Sequence, residues 1–463
     1  MSTQASQYTG APGVMLTGII TLVAVMGIGR FSLTPQIPLM IEDGFLTLSS
    51  AGILAAMNYI GYLLGAIHVS KLKRHHTFYL KTGLMATVLV TLLSAATSSF
   101  MLQCLFRFVS GVGGAWALII VTSWTQLVLA GKQAPKLSAA VFTGPGVGIT
   151  LTGVLAWAMA CLGFHASQAW LVYGVVATIA ALMIFTRLPK TLATTNGKIK
   201  PEPLNRNLKL LLAAYSLAGF GYILPATFLS QMAHAIFTVG NQAAFFWPLF
   251  GLAAVAGVLL VIAFAARIRT QPALATAMIV QGAGVASVVF FHDAKGLLIA
   301  TLLTGLGFLS IMQLSMRLAR EVTQGALART VAVLTSGYAT GQLIGPLISS
   351  LSVKYAWESR IVEAQPGEII AWQSLEGADI PNEGKLVLTP APGEWGTELA
   401  LTLTFTPPGG TLGKKVTTFF DLLPKEIASI ALHRFKSLAE TGEIPTINGQ
   451  PAGRHAERQD KEK

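Results

Sequence analysis

The chain has 463 residues, 53% of them hydrophobic and only 11% charged, with a formal net charge of +12. That balance excludes an ordinary soluble globular protein and an intrinsically disordered one. The charge is unevenly spread: residues 1–357 hold 21 Lys and Arg against five acids, and residues 358–463 hold 11 against 15.

In the first region the basic residues sit in short connections between apolar runs, the pattern of membrane topology rather than of nucleic-acid binding. A hydrocarbon core of about 30 Å takes roughly 20 apolar residues per helix. Eleven segments meet that length: 13–37, 47–69, 78–97, 100–130, 136–163, 168–187, 208–236, 242–266, 272–291, 296–316 and 330–355. The N-terminus lacks a basic n-region and a small-residue cleavage site, so the first segment is expected to remain in the protein. Cys104 and Cys161 both lie in apolar segments and indicate no disulfide framework.

Placing the N-terminus inside puts 17 of the 21 basic residues on the inner face and leaves Arg30, Arg107, Lys295 and Lys354 elsewhere. The positive-inside rule favours that orientation. The polar stretch 189–207 reads as a cytoplasmic linker between an N-terminal half, 1–188, with six helices, and a C-terminal half, 208–357, with five. A repeat supports the division. Adding 192 to Gly27, Gly29 and Gly65 lands on Gly219, Gly221 and Gly257, and the strings MGIGRF and AGFGYI each fall early in the span that opens a half. Internal repeats with a solute site between them are a recurring transporter plan.

Within these spans several strings carry a resemblance. They are Gly27-Ile28-Gly29-Arg30-Phe31 in the first, Asn58-Tyr59-Ile60-Gly61-Tyr62 in the second, and Arg107-x-x-x-Gly111-x-Gly113-Gly114 in the fourth. The fifth has Gly144-Pro145-Gly146-Val147-Gly148, and the eleventh Gly337-x-x-x-Gly341-x-x-x-Gly345-Pro346. With these, residues 1–357 resemble the major facilitator superfamily, in a bacterial branch with G-x-G-R-F in its first helix. The resemblance implies an all-α polytopic fold of two six-helix halves, here with the twelfth helix missing. It also implies a cavity lined by the first, fourth, seventh and tenth helices. Two departures stand out: the loop motif after the second helix keeps only its basic end, and no uncharged apolar run of sufficient length follows Trp357.

From Glu358 the period changes to two. Residues 368–374, 383–389 and 399–405 read as strands, and Leu399, Leu401, Leu403 and Phe405 alternate with polar or small neighbours. Pro407-Pro408-Gly409-Gly410 reads as a turn, 412–441 as an amphipathic helix, and 453–463 as a charged disordered tail. Ile370-Ala371-Trp372-Gln373-Ser374, Gly396-Thr397-Glu398, the Pro-Pro-Gly-Gly turn and Glu440-Thr441-Gly442-Glu443-Ile444 resemble the C-terminal half of polyketide cyclase/dehydrase, START-like helix-grip domains. This adds a small α+β fragment over 358–452 and suggests a junction near Trp357, read as a chimeric frame or a purposeful fusion.

A buried cation in a span is costly and calls for a reason. Arg30 and Arg107 both fall on expected cavity helices, and no Asp or Glu lies deep in any span to pair with them. Each is either a site for an anionic group on a solute, because arginine offers a carboxylate two parallel donors, or a donor to backbone carbonyls that serves packing or gating. Asn58, Tyr59, Tyr62, Trp116, Tyr222, Gln281, Gln313 and Gln342 are further candidates, against the alternative of hydrogen bonding between helices. Gly27, Gly29, Gly144, Pro145, Gly148, Gly341, Gly345 and Pro346 form the conformational motif: glycines let helices approach and proline permits a bend. His68 and His234 read as packed or interfacial, and Glu42 and Asp43 as solvated loop residues. No catalytic set, metal cluster or cofactor loop stands out, so an enzyme is not expected.

The reading is a multi-pass transporter of the bacterial inner membrane, its N-terminus cytoplasmic and its tail periplasmic if the spans number eleven. It moves a small organic solute, with an anion as the candidate class and a proton as the candidate coupling ion, by efflux rather than uptake. The alternative is a membrane-anchored START-like module binding an apolar ligand.

Overall fold

Long uninterrupted runs of Leu, Ile, Val, Phe and Ala without charge satisfy their backbone polar groups in lipid within the segment itself by forming helices. The computed structural model describes residues 10–72, 74–190, 205–237, 241–265, 267–291, 293–323, 327–353, 359–365, 367–374, 382–390 and 397–405. The linker 189–207, the junction near Trp357, the Pro407–Gly410 turn, the expected helix 412–441 and the tail 453–463 lie wholly or largely outside them. By contacts the chain divides into two units, Met1–Val353 and Lys354–Lys463.

In the first unit, helical segments stand at all eleven expected spans. The first is composite: α1 (Ala11–Leu22), a π-helical stretch Val23–Ile28, and α2 (Leu33–Glu42). Then come α3 (Leu48–Lys71), α4 (His76–Leu93), α5 (Phe100–Gly131), the short α6 (Pro135–Ala140) leading into α7 (Gly144–Cys161), and α8 (Ala166–Phe185). The second half has α9 (Arg206–Ile236), α10 (Phe246–Phe264), α11 (Thr270–Phe290), α12 (Ala294–Val322) and α13 (Leu327–Val353). Among the described residues, nine helical stretches are long and apolar enough to cross a membrane. The other two, α11 and α13, are 21 and 27 residues long and richer in small and hydroxyl residues.

Helices of this unit are apolar on their outer faces too. Met101, Leu182, Ile279 and Leu217 remain 68–77% exposed, as suits a lipid-facing surface. The interior combines aliphatic side chains with aromatic, small and polar ones.

Glycines set the spacing. A Cβ on Gly27 would lie 2.3 Å from Gly148 Cα, so the first span and α7 touch backbone to backbone there. The offset of 192 recurs in the packing. Gly65 on α3 abuts the Val112 carbonyl on α5, and Gly257 on α10 abuts the Leu306 carbonyl on α12. Across the halves α2 packs on α9, α3 on α13 and α7 on α10. Thr34 Oγ1 donates to the Ala226 carbonyl at 3.1 Å, so two positions that are themselves 192 apart meet where α2 and α9 face each other.

The second unit contains a four-stranded antiparallel meander, β1 (Ser359–Gln365), β2 (Ile369–Ser374), β3 (Asn382–Pro390) and β4 (Thr397–Phe405), in sequential order. Three strands stand at the expected places. The first, β1, was not expected: its pairing with β2 is broken by an irregularity between Ile361 and Glu363, which upsets the period-two pattern that reveals a strand. Leu399 and Leu401 pair with Leu388 and Leu386, and Trp372 lies across its cross-strand partner Gly384.

Candidate functional site

The site begins with a break in the first span. Gly29 N–H bonds to Ala24 O at 2.9 Å and Phe31 N–H to Met26 O at 3.0 Å, each five residues back. Such a widened turn redirects carbonyls, and these turns recur at functional positions. The Gly29 carbonyl accepts from Arg107 Nη1 at 3.1 Å and from Ser110 Oγ at 2.7 Å, both on α5. Arg107 is fully buried, with its guanidinium 4.6 Å from the Trp170 ring centroid, and its own carbonyl accepts from Asn58 Nδ2 at 3.0 Å. Arg107 and Asn58 thus fasten α3, α5 and α8 around the break.

Arg30 follows immediately, in the turn before α2, and is 7% exposed. Its guanidinium carbon lies 4.7 Å from the Tyr59 ring centroid and 4.5 Å from that of Tyr62, both on α3, with the Phe31 ring at 5.4 Å. Aromatic faces attract a cation, by about 0.5–2 kcal/mol each depending on desolvation. Nη2 donates to Gln342 Oε1 on α13 at 2.6 Å, and Gln342 Nε2 donates to the Tyr222 hydroxyl on α9. Arg30 Nε has no hydrogen-bond partner among the described residues. The described ion pairs are His165–Asp43 and Arg317–Glu321, so Arg30 is held by an amide and aromatic rings rather than by a carboxylate.

Around this cation the second half supplies an aromatic ladder. Tyr222 stacks on Phe308 at 4.5 Å and lies parallel to Tyr338 at 5.9 Å, and Tyr338 stacks on Tyr215 at 4.4 Å. Phe31 meets Phe308 edge-on at 5.7 Å. Tyr59 closes the cluster by a 3.3 Å hydroxyl contact with Thr227 of α9.

Of the sequence candidates, Arg30, Tyr59, Tyr62, Tyr222 and Gln342 come together. Arg107 and Asn58 support them from beneath. Trp116 lies apart, in a three-ring group with His68 and Tyr79, and its Nε1 is buried without a partner. Gln281 donates to Ala218 O at 2.9 Å inside the second half, and Gln313 Oε1 is buried without a partner. Gly144, Pro145 and Gly148 lie on α7, with Gly144 against Leu22 and Ile19 and Gly148 against Gly27. On α13, Gly341 abuts the Ser216 carbonyl, and Gly345 and Pro346 are buried one turn further along.

Asp43 is not the solvated loop residue expected. Its carboxylate accepts the Ala166 N–H at 2.6 Å at the start of α8 and meets His165 Nδ1 at 2.9 Å. Burial raises its pKa, but the bonds from Ala166 and His165 outweigh that and hold it below the usual carboxylate value of 3.8. Sequence reasoning also passed over Ser110, Thr227, Phe308 and Tyr338. Tyr338 had a signal, since it precedes Gln342 by four residues and so shares its helix face.

A polytopic bundle of two packed halves, with its polar centre between them, is the architecture of a membrane transporter. The family described as "Uncharacterised MFS-type transporter YbfB" matches residues 22–362, and the chain belongs to it. The uncharacterized MFS-type transporter YceJ of Bacillus subtilis (strain 168) is 26% identical over 231 residues, 49% of this chain and 55% of that protein, so the match spans about half the relative's length. Among solved structures, a bacterial homologue of the human lysosomal transporter Spinster, inward-facing and unoccupied, superposes with a TM-score of 0.55 at 14% identity, covering 74% of this chain and 82% of that one. The nucleoside transporter NupG gives 0.59 at 11% identity, over 75% and 93%. These similarities establish the fold.

Proposed function

We propose that the protein is a secondary transporter that carries a small organic anion by alternating access of its two halves, with Arg30 as the anion-binding group. One observation carries the reading: a buried arginine bonded across the two halves, at the meeting of α3, α9 and α13, with no partner on its Nε and no carboxylate on it among the described residues. Tyr59, Tyr62 and Tyr222 shape the surroundings, while Arg107 and Asn58 hold the broken helix that carries Arg30. Gly27, Gly29, Gly144, Pro145 and Gly148 in the first half, with Gly341, Gly345 and Pro346 in the second, are the surfaces on which helices shift.

The orientation we assign has a cytoplasmic N-terminus in a bacterial inner membrane, supported by the basic inner connections, and the direction is efflux, supported by resemblance of the glycine-proline string on α7. Among the described residues of the bundle, Glu42, Asp43, Asp293 and Glu321 all stand at or beyond helix ends. Coupling to a proton would therefore run through groups other than a deep carboxylate. Reconstituted vesicles loaded with labelled organic anions, assayed with and without a pH gradient, test both claims: flux that persists in Arg30→Gln removes Arg30 from the site.

The C-terminal unit we read as the later part of a START-like domain, supported by the β1–β4 meander and the strings that match it. The intact mass of the protein from native membranes separates fusion from chimeric frame; an abundant 463-residue product sinks the chimera.

A further inference from the structure

A guanidinium receives a carboxylate along an edge where two N–H groups point the same way, and Nε with Nη2 is such an edge. On Arg30 one of these two nitrogens, Nη2, has a partner among the described residues and the other, Nε, has none. Gln342 Oε1 sits on Nη2 at 2.6 Å, a charge-assisted distance, and Nε beside it is buried and unpartnered. An amide has one acceptor oxygen, and its NH2 group cannot accept from Nε. Instead that NH2 donates to Tyr222, which fixes the amide orientation, since a guanidinium has no acceptor to offer.

We propose that Gln342 holds the place of a solute carboxylate: a monocarboxylate displaces the amide oxygen from Nη2, takes Nε as its second donor, and in doing so undoes a bond between the two halves. This rests on the reading of Arg30 as the solute's anion site and adds the identity of the anion and the role of Gln342. Arg30 belongs to the first span and Gln342 to α13, so the bond it makes crosses the interface where α3 and α13 pack. Solute and interface closure therefore compete for one donor. The two-oxygen ligand satisfies the full edge, the one-oxygen amide only half of it, and neutral isosteres gain nothing over Gln342 itself.

The protein purified into lipid nanodiscs tests this with benzoate as probe, benzamide as its neutral isostere, and acetate and cyclohexanecarboxylate as alternative bodies. Binding is read from the ligand-dependent shift of the melting curve and confirmed by calorimetry, on samples that are monodisperse by size exclusion. Wild type binds the carboxylate and not the amide. Gln342→Met keeps the volume and removes the competing oxygen, so it binds carboxylate about 3- to 10-fold more tightly. Gln342→Glu carries its own carboxylate to Arg30 and loses binding, while its melting temperature without ligand rises. Gln342→Asn, which withdraws the oxygen by one methylene, binds more tightly than wild type as well and serves if the Met variant does not fold.

Weaker binding by both Gln342→Met and Gln342→Asn would make Gln342 a direct solute contact and overturn the placeholder role while leaving the anion site standing. Binding of benzenesulfonate or phosphate, dependent on Arg30, with no binding of any carboxylate, would overturn the carboxylate assignment alone. Carboxylate binding undiminished in Arg30→Gln, or no binding of any of these anions, would overturn the anion-site reading and this inference with it.

Discussion

Arg30→Gln removes the charge while keeping an amide that can still donate to Gln342. A charge-assisted pair to a solute anion is worth about 1.5–3 kcal/mol, so solute affinity should fall about 10- to 150-fold in equilibrium binding with reconstituted protein, with insertion unchanged. Tyr222 stands where the repeat would place a second arginine, and its hydroxyl receives the Gln342 amide instead. That asymmetry explains why the sequence points to Arg30 as the odd residue of the repeat but cannot show what faces it. Gln342 lies 312 residues away, and only the packing of α3 on α13 brings it in. Arg107 invites the same anion-binding reading from sequence, and its Nε and Nη2 are likewise buried without a partner among the described residues, but its Nη1 holds the Gly29 carbonyl and its described partners, Gly29 and Trp170, lie in the first half. Ser110→Ala should cost about 1 kcal/mol of stability. Adding Arg107→Met should cost more than the two single changes together, because the Gly29 carbonyl then loses both side-chain donors; a double-mutant cycle by thermal unfolding reads the difference. Asp43 makes a pH prediction at this scale. Its folded pKa lies below the unfolded value of 3.8, so its contribution is present above pH 3.8 and is lost as pH falls through the folded pKa. Melting curves from pH 7 to 3 should show that loss in wild type, and Asp43→Asn should be less stable at pH 7 and lack this component.

At the scale of elements, hydropathy made the eleven helices legible because lipid leaves the backbone few alternatives. The π-helical stretch Val23–Ile28 was not legible. Its sequence VAVMGI is compatible with an ordinary helix, and the wider turn is settled by contacts from α5 and α7. The strand β1 escaped notice for a related reason, since its irregular register hides alternation. Gly27 and Gly148 tie the break to α7 at backbone contact. Gly148→Ala inserts a methyl where no space exists and should destabilise by about 1–3 kcal/mol. Its melting temperature in detergent should fall, with transport falling as well; full transport at wild-type stability would mean that the first span and α7 separate without cost.

For the whole molecule, the relation between the halves bears on the proposed mechanism. The repeat at offset 192 shows in sequence as three glycines, cheap matches in a chain with 46 of them. Its strongest support is structural and uses no glycine: Thr34 meets Ala226, its own counterpart. Residues related by a local two-fold meet only on its axis, so this contact marks where the first helices of the two halves cross. Alternating access requires the halves to rock against each other around the solute site, and a bond fixed across their interface on one side of that site should arrest the cycle. A double variant, Thr34→Cys with Ala226→Cys, places two thiols at this contact; Cys104 and Cys161 must first be replaced by Ser so that no other thiol competes. Mild oxidation should form a cross-link visible as altered gel mobility, and flux in vesicles should drop by more than tenfold and return on reduction. A cross-link that forms in full while flux continues would show that α2 and α9 do not part during transport. The moving surfaces would then have to be sought at α3 with α13 and at α7 with α10.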